Sequence, residues 1–388
     1  MKKILFCLLL LTVFSPVFSQ SLQKKFIKGN ITDKTNAVRE ASGSEALWLT
    51  MQSLNFILDN KDYLVSDRDF DGFALATILS INNDYINSLY EMEKQELLFQ
   101  LIEMFNIFNE SSTVQIGVLS KVERLNSFIS TSRFTTLLNN YVQENNVQNV
   151  NPETFRAVIS TLGVIGNNVS FTILYNKLND KKYADYKNEL EHAIIELSPI
   201  AMNEVLQIVH CKDIFQINQI FTLIQKNTKN SQKFLSEIAE NVLNETILLV
   251  RNSPDKNSVV ELQIYSLKIL SDNKWTRASA SVISFFNSAK NEYAEKILSD
   301  SQFVTVINSL ISIAPVDAVN PLIQYLGELN GQVERDGTVS QEVALAVINT
   351  LGAIGDKSAF DSLLSVTYLN YSEPVLSAAR KALAGLKW

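Results

Sequence analysis

Laid over one another, Glu153–Phe171 and Glu342–Phe360 coincide at ten of nineteen positions. In the first copy these are Glu153, Ala157, Val158, Ile159, Thr161, Leu162, Gly163, Ile165, Gly166 and Phe171. A further copy follows soon after the second, with Ser340 on Ser372, Val343 on Val375, Ala346 on Ala378 and Leu351 on Leu383. The last two copies open on a serine and an acidic residue, Glu342 or Glu373, and run through small residues to Leu-Gly or Leu-Ala-Gly. A helical unit used again and again hides its apolar flank only against its neighbours, so the chain is expected to stack. Such a constraint concerns architecture and leaves activity open.

Within a unit the local chemistry is readable. Asn151-Pro152-Glu153 is a helix start: Asn accepts the first free amides, and Pro lacks only an N–H the first turn does not need. Ala157, Val158, Thr161, Leu162 and Ile165 form the buried stripe, and Gly163 and Gly166 are expected to close the helix through left-handed backbone. Phe171, Leu174, Tyr175 and Leu178 begin the return helix. Fainter units centre on Ile194, Leu267 and Leu310; the steps from Leu267 to Leu310 and on to Leu351 each suit two helices and their turns. Upstream, Leu47, Met51, Leu54 and Leu58 share one helical stripe, and further helices are expected over 73–81, 97–108, 114–128 and 134–142. The polar stretch 144–150 marks a boundary between an N-terminal helical region, 20–148, built of diverged repeats or a cap, and a repeat domain, 149–388. A longer connection is expected over Leu329–Val339, with Gly331 and Gly337 in it. Strand-type alternation is absent, so the chain is expected to be all-α.

The segments 152–179 and 341–388 resemble HEAT-type repeats, above all the short form first associated with phycocyanobilin lyases. Leu351, Gly352, Ile354, Gly355, Ala359, Leu363 and Leu364 carry the resemblance. The arginine usual near the helix start has only Arg156 near its place, while Leu345 and Leu376 stand there in the other copies. The resemblance implies a right-handed α-solenoid of stacked antiparallel helix pairs, with a concave surface of the sort that binds other proteins.

Residues 1–19 read as a secretory signal peptide: Lys2 and Lys3, then an apolar run from Ile4 to Val13, then smaller residues before a cut near Ser19. That run is short for a bilayer, and no later stretch holds eighteen unbroken apolar residues, so no transmembrane segment is expected after processing. Export implies a periplasmic or extracellular setting. Without residues 1–19 the chain has 32 basic and 41 acidic residues, a net charge of −9, which disfavours a nucleic-acid partner. Cys211 is then the sole cysteine, expected to be a small buried hydrophobe, and no internal disulfide can form.

Few constellations suggest chemistry. Asp67, Asp69 and Asp71 alternate ahead of Gly72, as in the first half of a Ca²⁺ loop. The twelfth position is Ile78 where such a loop needs Glu, and a helix cap ahead of Phe73 is the competing reading. His192, with Glu189 and Glu196 three and four residues away, could share a metal-binding face. His210 and Cys211 point about 100° apart on a helix, which argues against a nucleophilic pair. There is no G-x-S-x-G elbow and no phosphate-cradling glycine loop. Tyr183, Tyr186, Tyr368 and Tyr371 are candidate exposed anchors for a protein partner, with packing between repeats as their other role. Trp388 is expected to cover the last helix pair. These readings converge on an exported, non-enzymatic scaffold with a protein partner and no cofactor. A small-ligand binder or lyase-like enzyme and a calcium-stabilised extracellular module are the alternatives.

Overall fold

The computed structural model describes residues 22–64, 68–146, 148–335 and 337–387. The signal-peptide reading of residues 1–19, Asp67 and Trp388 lie outside them. Among the described residues every regular element is helical, and the β-pairing is an isolated bridge between Asp356 and Lys387. The chain divides into two compact units at Ile200/Ala201, so the polar stretch 144–150 lies inside the first unit and not at a unit boundary.

In the first unit, helices Arg68–Ser80, Ser112–Leu125, Pro152–Ile165 and Lys187–Leu197 form a row in which each packs on the next. Glu91–Ile107, Ser132–Glu144 and Asn168–Leu178 run back between them and pack on the helix that follows. Ile31–Glu40 and Gly43–Asp59 close the start of the row. The second unit has the same plan. Its row is Lys256–Asp272, Asp300–Ile313, Gln341–Ile354 and Glu373–Ala384. The returning helices are Ser279–Ala294, Val319–Glu334 and Phe360–Val366, and Ile214–Gln225 and Gln232–Leu249 precede them.

The uneven spacing is shared as well. Row helices start at Arg68, Ser112, Pro152 and Lys187 in the first unit, and at Lys256, Asp300, Gln341 and Glu373 in the second. In both, each step along the row is shorter than the one before it. Buried positions follow. The shift that carries Glu153 to Glu342 also carries Leu49, Ser53, Leu54 and Ile57 onto Ile238, Val242, Leu243 and Thr246, all buried. It carries Phe70, Phe73, Thr77, Ile78 and Ile81 onto Val259, Leu262, Ser266, Leu267 and Leu270, again all buried. Apart from Leu54 and Leu243, side-chain identity is lost at these positions while the inward-facing register is kept, because packing demands a face and a volume more than a particular residue.

Caps set the helix ends. Asn151 Oδ1 accepts from Glu153 N at 2.9 Å and Thr154 N at 3.2 Å, with Pro152 in the first turn. Ser340 Oγ accepts from Val343 N. The two glycine-closed ends differ. Gly355 is left-handed, at φ 74°. Gly166, expected to be left-handed, is instead extended, at φ −70° and ψ 174°, and is needed for space: a Cβ there would lie 2.2 Å from the Leu162 carbonyl oxygen. Gly163 and Gly352 are not turn residues at all. Each lies within a row helix where the next helix of the row crosses. A Cβ on Gly163 would stand 3.0 Å from Ala193 Cα, and one on Gly352 would stand 2.8 Å from Ala382 Cβ. The expected long connection over Leu329–Val339 is also corrected. Val319–Glu334 is helical through Gly331, because Leu329, Asn330 and Val333 continue its buried stripe.

These glycines make opposite predictions. Gly352→Ala is expected to destabilise the protein by about 1–3 kcal/mol through overpacking against Ala382. Gly327→Ala, in a helix with nothing within 4 Å of the new methyl, is expected to stabilise it by about 0.5–1 kcal/mol. Urea denaturation of the two variants checks both signs.

Candidate interaction surface

Three of the four candidate anchor tyrosines are buried, which corrects the expectation of exposed anchors. Tyr183 and Tyr186 sit in a 3₁₀ turn, Lys181–Tyr186, and pack on Phe155 with ring centroids 5.9 and 4.9 Å away. The Arg156 guanidinium lies 4.9 Å over the Tyr186 ring and pairs with Glu189 at 2.5 Å. Lys177 Nζ donates to the Tyr183 hydroxyl at 2.6 Å. Tyr371 donates to Asn330 Oδ1 at 3.0 Å, and burial pushes its phenol up to about 12. Only Tyr368, 80% exposed, is free to meet a partner. The other three are seams between helices: the flat ring fills the gap and the hydroxyl or the cation on it satisfies polarity.

Of the expected calcium loop, Asp67 lies outside the described residues. Asp69 and Asp71 lie in the first turn of the helix Arg68–Ser80. Two residues apart on a helix, they point about 200° apart and cannot converge on one ion. Asp69 accepts from Thr32 Oγ1 at 3.0 Å, and both carboxylates favour a helix N-terminus. His192 is exposed, and its neighbour Glu189 is committed to Arg156. His210 Nδ1 lies 2.8 Å from Glu245 Oε1. Cys211 is exposed, against the expectation of burial, because the helix Met202–Val209 ends before it and leaves it in a turn. Among the described residues no group of three metal-ligating side chains comes together.

The remaining feature is apolar and lies at one edge of each unit. Because every row helix is followed by one that runs back, row helices run the same way and their C-terminal turns share an edge. Ser271 and Ser312, each near the end of a row helix, bond at 2.7 Å; Ser340 and Asp300, each at the start of one, also bond. In the first unit, Arg124 bonds Asn83 at 3.3 Å across neighbouring turns, and Lys94 lies over the Phe128 ring. Large hydrophobics collect on this edge. Leu79, Tyr90, Met92, Phe128, Val164, Val169 and Ile200 are seven of the eleven exposed ones among the described residues of the first unit. In the second unit the same edge carries Ile311 and Val316, which open onto a cleft of about 530 Å³. Pro315, Val319, Ala353 and Ile354 line it, and Lys357 and Lys387 flank it. A smaller cleft of about 460 Å³ lies beside Phe215, Leu249 and Pro254, with the capping residues Asp213 and Asp255 at its rim. The helical periodicity gave no sign of this edge, since these residues fall in the last or first turn of a helix or just beyond it, where the inward stripe no longer applies; the run Ala314-Pro315-Val316, apolar where a turn is usually polar, was the available signal.

Compared with protein-family models and with curated proteins, the chain matches none.

Tyr371→Phe is expected to cost about 1–3 kcal/mol, because Asn330 Oδ1 is left buried without its donor. Tyr368→Phe is expected to change stability by less than about 0.5 kcal/mol. Thermal melts of the two variants distinguish the seam from the surface.

Proposed function

We propose that this chain is an exported, non-enzymatic protein-binding scaffold of the HEAT-repeat kind, a right-handed solenoid whose partner meets the turn edge. The exposed apolar edge carries this reading. Soluble proteins rarely leave aligned hydrophobic side chains in water without a use for them, and a row of them rimmed by Asn and Ser has the make-up of an interface. The acidic charge supports a protein partner over nucleic acid. The basic start and apolar run of residues 1–19 support export. The clefts favour binding over catalysis: their carboxylates are taken up as helix caps, Asp356 by Ser358 N and Oγ and Asp255 by Ser258 N and Oγ.

The test uses a photo-crosslinking residue at Val169 and affinity capture from the parent cell envelope. Phe128→Asp and Val164→Asp are expected to lower capture of the partner roughly tenfold or more. Tyr63→Asp, exposed in the short helix Lys61–Leu64, is expected to leave it unchanged. Equal capture by all three variants would overturn the reading.

A further inference from the structure

The cleft beside Val316 is basic at its rim and apolar within. Its one acid, Asp356, is turned into its own loop, accepting from Ser358 N at 2.9 Å and Ser358 Oγ at 2.7 Å. Lys357 and Lys387 flank the opening, and neither forms an ion pair among the described residues. Val316 is 82% exposed at the rim. At about 530 Å³ the cleft is within the range that encloses small ligands or several side chains.

The first unit presents the converse surface. The helix Glu91–Ile107 begins with Tyr90 80% exposed and Met92 86% exposed. Glu91 and Glu96 flank them, exposed and without an ion pair among the described residues. Glu93 is turned back onto Tyr90 N at 2.7 Å, and Lys94 onto the Leu89 carbonyl and the Phe128 ring. What projects is an apolar knob with acidic sides. Met is suited to this role, because its unbranched thioether adapts to an irregular pocket.

We propose that the Tyr90–Met92 knob of one copy of this chain occupies the Val316 cleft of a second copy, with Glu91 and Glu96 meeting Lys357 and Lys387. The proposal rests on the reading of the edge as an interface and names one occupant for it. Apolar side chains supply the affinity and opposite charges at the rim supply register and partner choice. Knob and cleft are different surfaces, so the contact is heterologous. Each copy that docks leaves one knob and one cleft unused, and assembly proceeds to rings or open chains rather than stopping at a symmetric dimer.

Sedimentation velocity on the purified chain tests this. The weight-average mass of the wild type is expected to rise with concentration, while Met92→Asp and Val316→Asp each remain monomeric. Both sites are exposed, and the circular dichroism of each variant should match that of the wild type. Mixed in equal amounts, the two variants are expected to form a one-to-one dimer and nothing larger, because only one intact knob and one intact cleft remain. Joint Lys357→Glu and Lys387→Glu should weaken association about tenfold, and adding Glu91→Lys and Glu96→Lys to the same chain should restore it. A wild type that stays monomeric, variants that associate like the wild type, or a mixture that stays monomeric would each overturn the proposal. None of these results touches capture of a partner through Phe128 and Val164, so the two readings fail separately.

Discussion

The closeness of one row helix to the next governs both units. At Gly163 against Ala193, and again at Gly352 against Ala382, the backbones approach until only a hydrogen fits between them. The step from Ala193 to Ala382 is the same as the step from Gly163 to Gly352. The constraint thus acts on pairs of positions in tandem: Gly on one helix requires a small residue on the next. Cys211 is the one cysteine among the described residues and is free, so this dispersion-rich contact and the apolar burial around it must hold the rows together.

Around that contact the two units diverge in how they satisfy their polar groups. Thr161 donates to Glu123 at 2.6 Å in the first unit, whereas its counterpart Thr350 is fully buried with no partner on its hydroxyl among the described residues. Aromatic seams differ too. Phe105, Phe134, Tyr141 and Phe155 form a chain of ring contacts across successive repeats in the first unit, while Phe286, Phe303, Tyr293 and Tyr325 cluster in the second. Repeat architectures tolerate this freedom because each helix pair answers only to its neighbours. The plan persists although the residues differ.

Surface use follows from the same geometry. Turns at the end of the row helices are stacked along an edge at every repeat, so a single exposed hydrophobic per turn becomes a line of them. The first unit carries this line from Leu79 to Ile200, and the second concentrates it at the Val316 cleft between two lysines. Tyrosines that looked like surface anchors instead close the gaps between helices, where Arg156 and Lys177 lie against their rings.

Residue order was enough to read the helical class, the caps at Asn151 and Ser340, most of the inward stripe of Pro152–Ile165 and the recurrence of Glu153–Phe171 at Glu342–Phe360. All of these are local or periodic and leave a trace in residue type. The stripe expected through Leu47, Met51 and Leu58 missed the inward face, which includes Leu49, Ser53, Leu54 and Ile57, with Met51 exposed. Residue order also marked Gly163 and Gly352 as special, though not for the right reason: a glycine needed for a turn and a glycine needed for close approach look alike until the crossing helix is in place. The packed chain was required to see that the whole second unit repeats the plan of the first, because burial register outlasts residue identity. It was required, too, to see that Asp69 and Asp71 diverge on a helix, that Tyr183, Tyr186 and Tyr371 are interior, and that Val316 borders a cleft. Each of these depends on which residues distant in the chain come to lie side by side, and no spacing within one segment encodes that.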